Sequence, residues 1–196
     1  LALNAGALLQ DMEFVQFYPV GLAERGMPHH LVPPRLADRG VLVNDRCEDI
    51  QAKYAITERP AAERSRDRLS QALFLEAREG REVLLDLTGV SETEWTSDPF
   101  SESVLGIIGR RCGGLRRPLR VAPMAHNTMG GVAIDPHGAT SVPGLFAAGE
   151  VAGGVHGANR MGGNALAETL VFGRRAGEAA AEWAERGSRV ASEPDG

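Results

Sequence analysis

The segment Gly144-Leu145-Phe146-Ala147-Ala148-Gly149-Glu150 runs into Val151-Ala152-Gly153-Gly154-Val155-His156-Gly157-Ala158-Asn159-Arg160-Met161-Gly162-Gly163-Asn164, and no other stretch constrains the fold as strongly. A short apolar run closes on Gly-Glu, glycines crowd the next residues, and a helical pattern begins near Asn164. Strand, glycine loop and helix start, in that order, let backbone approach a ligand at the carboxyl end of a strand. The order points to a nucleotide or flavin site. N–H groups at a helix start favour negative charge developing on a bound ring. Glu150 stands where a carboxylate accepts hydrogen bonds from cofactor hydroxyls. The loop could also serve only to turn the chain. A lone glycine loop carries little weight, but one that holds His156, Asn159 and Arg160 together is harder to read as punctuation.

A second legible element lies mid-chain. Pro60 suits a first helical turn, Gly80 suits a stop, and Leu69, Leu73 and Ala77 recur at helical spacing as a buried stripe. Arg66 falls on the same stripe. An inward-facing charge is costly unless paired, so Arg66 either snorkels near the helix start or points into a polar site. Spacing alone leaves both readings open.

Composition excludes several classes. The 196 residues are 43% hydrophobic and 24% charged, ordinary for globular material, with a net charge of -5. That balance argues against generic nucleic-acid binding, although Arg116-Arg117 is a local cluster that reads first as solvated surface. No apolar run approaches the roughly 20 residues of a transmembrane helix, so direct membrane insertion is not expected. Cys47 and Cys112 form no C-x-x-C pair, so no iron-sulfur cluster, structural zinc or other metal site is expected, and reduced thiols are the default.

The run His156-Gly157-Ala158-Asn159-Arg160, preceded by Ala148-Gly149-Glu150 and by His126-Asn127-Thr128-Met129-Gly130-Gly131, closely resembles the flavoprotein subunits of succinate dehydrogenase and fumarate reductase. That family also includes L-aspartate oxidase. Asp11-Met12-Glu13-Phe14-Val15-Gln16-Phe17-Tyr18-Pro19 resembles another of its blocks. The resemblance implies an α/β fold: part of a Rossmann-like FAD-binding domain with an inserted α+β capping domain. Residues 1–19 and 122–187 would belong to the FAD-binding domain and 20–121 to the capping domain, with 188–196 a flexible polar tail. Leu1 to Gly6 reads as the last turn of a helix with no G-x-G-x-x-G before it, whereas the family carries that fingerprint upstream. The expectation is therefore a fragment, inactive alone and lacking the pyrophosphate cradle needed for tight FAD binding.

The resemblance also distributes roles. Arg66 matches the arginine thought to deliver the substrate proton while flavin exchanges hydride at the neighbouring carbon. His126 and Arg160 match residues that hold substrate carboxylates, a task that suits a bidentate guanidinium and a directional imidazole donor. Gly149, Glu150, Gly154, Asn159, Gly163, Asn164, Ala165 and Leu166 fall at the cofactor, with main-chain groups of Asn164-Ala165-Leu166 against the flavin ring. FAD is the implied cofactor and a small carboxylate the substrate. The implied partner is an iron-sulfur electron-transfer subunit. The implied location is cytoplasmic, peripheral at the inner face of a membrane through that partner. Plainer readings stand beside these. His126 reads equally as a hydrogen-bonded histidine beside a glycine turn, His156 and Asn159 as loop shapers, His137 as a solvated turn residue, and Glu150 as a surface carboxylate. An arginine inside a glycine loop, as at Arg160, is more often an anion ligand than an idle charge.

Two departures bear on substrate. Dicarboxylate-active members generally have histidine where this chain has Tyr18, and threonine-glutamate followed by arginine near Val32-Pro33-Pro34-Arg35-Leu36-Ala37-Asp38-Arg39-Gly40. Arg35, Asp38 or Arg39 could substitute, whereas Pro33 and Pro34 cannot donate from side chain or backbone nitrogen. Three functions remain: a fumarate reductase or succinate dehydrogenase-like oxidoreductase, amino-acid oxidation of the L-aspartate oxidase type, or a non-catalytic capping module that serves as an interaction surface.

Overall fold

A computed structural model describes residues 1–26, 30–95, 99–111 and 117–192; Cys112, Arg116 and residues 193–196 of the expected tail lie outside them. In chain order the elements are a 3-10 turn Leu3–Ala5, β1 Leu9–Gln10, β2 Val15–Leu22, α1 Pro34–Ala37, β3 Val41–Asn44, α2 Ile50–Lys53, α3 Ala61–Arg64, α4 Arg66–Arg78, β4 Val83–Asp86, α5 Glu92–Trp95, α6 Pro99–Arg111, β5 Leu119–Thr128, β6 Gly131–Ala133, β7 Ala152–Gly153 and α7 Asn164–Ser192. They divide into two units, Leu1–Gln16 with His126–Gly196, and Phe17–Ala125.

The inserted unit is organised by a four-stranded sheet in the order β2-β5-β4-β3. β3 and β4 pair antiparallel with Val41 opposite Asp86 and Asn44 opposite Val83, and β4 pairs antiparallel with β5 through Val83–Val121 and Leu85–Leu119. Period-2 alternation fixes which face is dry: Leu42 and Asn44 on β3 and Val83 and Leu85 on β4 are buried while their neighbours are more open. Leu69, Ala72 and Leu73 of α4, Leu36 of α1 and Ile50 of α2 complete that core. Pro34 opens α1 without loss, since a first-turn nitrogen has no intrahelical partner.

The mid-chain helix departs from its sequence reading in two respects. It is broken at Ser65, whose φ of -126° and ψ of 40° separate α3 from α4. Its buried face holds Leu69, Ala72, Leu73 and Glu76, and Ala77 is exposed. At about 100° per residue, position 76 lies about 20° from Leu69 and position 77 about 80° away, so geometry favours position 76 if its carboxylate can be satisfied. The stop is as expected. Arg81 N–H reaches Glu76 O at 3.0 Å, Gly80 N–H reaches Ala77 O at 3.0 Å, and Gly80 takes φ +75°, a left-handed cap that glycine adopts freely.

Glu76 is satisfied by three elements at once. Fully buried, it accepts from Asn44 Nδ2 at 2.8 Å and Tyr54 Oη at 2.9 Å, and pairs with Lys53 Nζ at 2.8 Å. Burial pushes its pKa up, but hydrogen bonds from Lys53, Asn44 and Tyr54 outweigh this and hold it below the ordinary 4.5.

The other unit is built on a three-stranded sheet, β1-β6-β7. β1 pairs antiparallel with β6, Leu9 opposite Val132, and β6 pairs parallel with β7, Val132 opposite Ala152. The parallel pair is tight: a Cβ on Gly131 would stand 2.2 Å from Val151 O, and one on Gly153 2.6 Å from Gly131 N. The regular strand expected to end at Glu150 is absent. Phe146 makes one bridge to Ala139, and strand pairing starts only at Ala152. An apolar run predicts a buried strand only where a neighbour meets its backbone, and here β6 does so two residues past Glu150. The turn expected at Pro136-His137-Gly138 forms, with Asp135 Oδ1 accepting from His137 and Ala139 N–H at 2.8 and 2.9 Å, and His137 is exposed.

α7 does not stop near Arg186-Gly187 but continues to Ser192. Glycine in an exposed helix costs about 1 kcal/mol relative to alanine, which weakens a helix without ending it. The i,i+4 pairs Arg174–Glu178 and Glu182–Arg186 support it. Among the described residues no helix is long and apolar enough to cross a membrane.

Removing the buried carboxylate leaves its donors unmatched. Glu76→Ala should destabilise the protein by on the order of 3 kcal/mol in urea denaturation. Because the native pKa of Glu76 is depressed, its contribution is present above the ordinary 4.5 and lost as pH falls through the lower native value. Glu76→Gln should therefore flatten the acid limb of the stability profile; an unchanged limb would show that the cage contributes nothing.

Candidate cofactor site

The glycine loop and the first turns of α7 enclose a cavity of about 260 Å³ within the first unit, lined by Asn127, Thr128, Glu150, Ala152, His156, Ala165, Leu166, Glu168 and Thr169. Each wall has a simple origin. β5 delivers Asn127 and Thr128, the parallel strand β7 delivers Ala152, and α7 presents Ala165, Leu166, Glu168 and Thr169 from its first turns. Side chains on a helix lean toward its N-terminus, so the cavity sits at the helix start where unpaired N–H groups gather.

Two carboxylates tie the loop. Glu150 Oε1 accepts Thr128 N–H at 3.0 Å, which fixes the end of the apolar run against β5. Glu168, only 7% exposed, accepts Gly149 N–H through Oε1 at 3.1 Å and sets Oε2 3.9 Å from His156 Nε2. Gly149 takes φ +80° at this anchor, a conformation other residues rarely hold.

Gln16 ties the same loop from the other side. Buried in β2, it donates through Nε2 to Asn159 Oδ1 at 2.7 Å and to Arg160 O at 2.8 Å. Arg160 is half-buried with Nε shielded from solvent, and Nη1 donates to Met161 O at 3.4 Å. His126, half-buried on β5 directly before Asn127, likewise has Nε2 shielded. Each side chain thus holds one ring or guanidinium nitrogen out of solvent contact.

The predicted positions therefore separate. Glu150, Ala165 and Leu166 line the cavity, and Gly149 is held by a lining residue. Gly154, Asn159, Gly163 and Asn164 belong to the loop and helix start, with Gly154 at φ +90° and Gly163 at φ +87°. Arg66 lies in the inserted unit at the start of α4, with Nε shielded and without a hydrogen-bond partner. Tyr18 of that unit is buried and its hydroxyl donates to Val32 O at 2.5 Å. Burial pushes its pKa well up, the Arg66 guanidinium opposes this and Glu63 adds to it. Of the three substitutes considered for the missing carboxylate grip, Asp38 accepts Ala61 N–H and pairs with Arg59, Arg39 donates to Glu94 O, and Arg35 is exposed.

Sequence reasoning missed Gln16, Asn127, Thr128 and Glu168 as parts of the site, and gave His156 a place in the loop motif, with loop shaping as the plainer reading, but no role at the cofactor. Glu168 sits on a helix beside apolar positions with no spacing rule linking it to Gly149 or His156. A buried acid at that place was the available signal. Among the described residues no group of three or more metal-ligating side chains occurs, and Cys47 is an exposed free thiol.

A family model described as FAD binding domain matches residues 1–166. The chain belongs to this family. Its relatives agree with the resemblance carried by the motifs. The fumarate reductase flavoprotein subunit of Escherichia coli is 38% identical over 202 residues, covering 93% of this chain and 33% of that protein. An L-aspartate oxidase of Xylella fastidiosa is 39% identical over 180 residues, covering 90% of this chain and 34% of that protein. A solved structure of Escherichia coli quinol fumarate reductase is 36% identical with a TM-score of 0.75, covering 100% of this chain and 35% of that one. The chain thus spans about a third of the length of the curated relatives it matches. FAD is the cofactor of the family, and the fold is the α/β flavoprotein fold expected.

The residues present fit a flavin. At about 260 Å³ the cavity is smaller than the roughly 300–1,000 Å³ that encloses a whole small-molecule ligand, which suits one ring system of a dinucleotide. Its lining combines apolar Ala152, Ala165 and Leu166 with polar Thr128 and Glu150, a mixture that suits a flat ring with a hydrogen-bonding edge. Gln16→Leu should free Asn159 and the Arg160 carbonyl. Amide hydrogen exchange over residues 157–162 should rise at least about fivefold, the equivalent of about 1 kcal/mol; unchanged protection would show that the two bonds do not hold the loop.

Proposed function

We propose that this chain is part of an FAD-dependent oxidoreductase that transfers hydride between flavin and a small carboxylate, with residues of the first unit holding the cofactor and those of Phe17–Ala125 capping the substrate. The single observation that carries this reading is the cavity at the start of α7, lined by Glu150, Ala165 and Leu166 and walled by a glycine loop. When bound, reduced FAD supplies hydride to one carbon of an unsaturated acid.

The chain's own residues do the remaining work. Arg160 grips a carboxylate through its fork of N–H donors, and His126 adds a directional donor beside it. Holding the acid this way withdraws electron density from the double bond and fixes which carbon faces the ring. Arg66 gives its proton to the neighbouring carbon. A guanidinium with a pKa above about 12 parts with a proton only in a dry, preorganised place, and a shielded Nε without a partner supports that role. The α7 N-terminus stabilises negative charge on the ring. Tyr18 takes the place of a histidine common among dicarboxylate-active relatives, and its hydroxyl is engaged on Val32 O. This supports a substrate with one strongly gripped carboxylate. An iron-sulfur subunit that exchanges electrons with the flavin, and a location at a membrane face through it, belong to the same proposal.

Assay of the FAD-loaded protein for reduction of fumarate and related unsaturated monoacids tests the reading. Turnover by wild type and a loss of at least about 100-fold in kcat for Arg66→Lys, with cofactor content unchanged, are expected for a general acid. Full turnover by Arg66→Lys would remove Arg66 from the mechanism. The identity to L-aspartate oxidases favours a second reading, oxidation of an amino acid to an imino acid, with hydrogen peroxide formed as oxygen reoxidises the flavin. A full-length protein that carries no yellow chromophore would instead favour a non-catalytic module.

A further inference from the structure

We propose that His156 and Glu168 form a redox-linked proton site in the wall of the cavity: His156 takes up a proton when the bound cofactor is reduced, and Glu168 holds the imidazole ready for it. The inference rests on the reading of the cavity as the flavin site.

The pair is built for this rather than for loop shaping alone. Both side chains are nearly enclosed, at 11% and 5% exposure, and both line the cavity. Glu168 is fixed independently of His156, because Gly149 N–H holds Oε1 at 3.1 Å. Its second oxygen therefore stays aimed at the ring whatever charge the ring carries. The 3.9 Å between Oε2 and Nε2 is longer than a hydrogen bond, so the contact has room to shorten when the imidazole becomes a cation.

Charge bookkeeping gives the driving force. The titratable groups lining the cavity are Glu150 from the loop, His156, and Glu168 from α7; β5 contributes only the uncharged Asn127 and Thr128. With a neutral imidazole the wall carries two carboxylates, an unfavourable place to add electrons. Reduction by two electrons and one proton adds one further negative charge. A second proton, taken from solvent, cancels it. With the hydrogen of the neutral ring on Nε2, the nitrogen that faces Glu168, uptake forms an N–H bond at Nδ1 and leaves an imidazolium paired with Glu168. Two electrons and two protons then enter together. Glu168 is a positioning residue in this scheme and His156 the proton store.

The test is a reductive titration of the FAD-loaded protein with dithionite, reading the midpoint potential from about pH 6 to about pH 8, where imidazoles titrate. Each coupled proton changes the two-electron equilibrium constant tenfold per pH unit, about 30 mV. Wild type should therefore fall by about 60 mV per pH unit and His156→Asn by about 30 mV. Glu168→Gln retains an acceptor for Gly149 but loses the charge, and should shift the break between these slopes to lower pH. A slope unchanged in both variants overturns the proposal. If His156→Asn fails to fold, Glu168→Gln decides alone, since a merely structural role would lower the urea midpoint without moving the break. Failure of the full-length wild-type protein to take up FAD would overturn the flavin reading and this inference with it, whereas FAD bound with unaltered slopes removes only this inference.

Discussion

The close backbone approach of β6 to β7 is the constraint on which the site depends. Gly131 and Gly153 leave no room for a Cβ between the strands, and this contact sets the point at which the apolar run after Gly144 finally pairs. Everything downstream is placed from there: the loop leaves β7 at Gly154, α7 begins at Asn164, and its first turns return to close the cavity. A side chain at either glycine would push apart backbone atoms that have no rotamer to change. In a well-packed interior that strain has nowhere inexpensive to go.

Each unit also holds a buried carboxylate, and the two serve different ends. Glu76 has its oxygens met by Asn44, Tyr54 and Lys53, so nothing remains to interact with a ligand. It locks β3, the α2 end and α4 into one body. Glu168 has one oxygen fixed by a backbone amide and the other facing an imidazole across a gap. A saturated cage gives rigidity, whereas a half-committed carboxylate keeps an electrostatic response in reserve. The contrast separates a carboxylate whose partners are saturated from one with an oxygen left to respond, although both are almost wholly removed from solvent.

Much of the site could be read from residue order. The glycine loop, Glu150 and the helix start at Asn164 are local features, carried by residues adjacent in sequence and by backbone preferences that act over a few positions. The Gly80 stop and the Pro136-His137-Gly138 turn were legible for the same reason. The misreadings share a cause of the opposite kind. Ala77 was placed inside because spacing cannot tell that a glutamate at position 76 will find three partners from elsewhere in the chain. The strand expected up to Glu150 was displaced because pairing depends on where β6 lies, and α7 outran its predicted end because glycine merely weakens a helix that i,i+4 ion pairs sustain.

Sequence alone determined the family, the α/β character, the loop that walls the cavity and the residue types offered to an anion. These follow from short-range order, where one residue's chemistry and its neighbours' conformations suffice. Tertiary structure decided which acids are buried, that Gln16 clasps Asn159 and Arg160, that Tyr18 spends its hydroxyl on Val32, and that Glu168 meets both Gly149 and His156. Those contacts join positions far apart in the chain, and their energies come from burial and from hydrogen-bond partners that only the folded arrangement supplies.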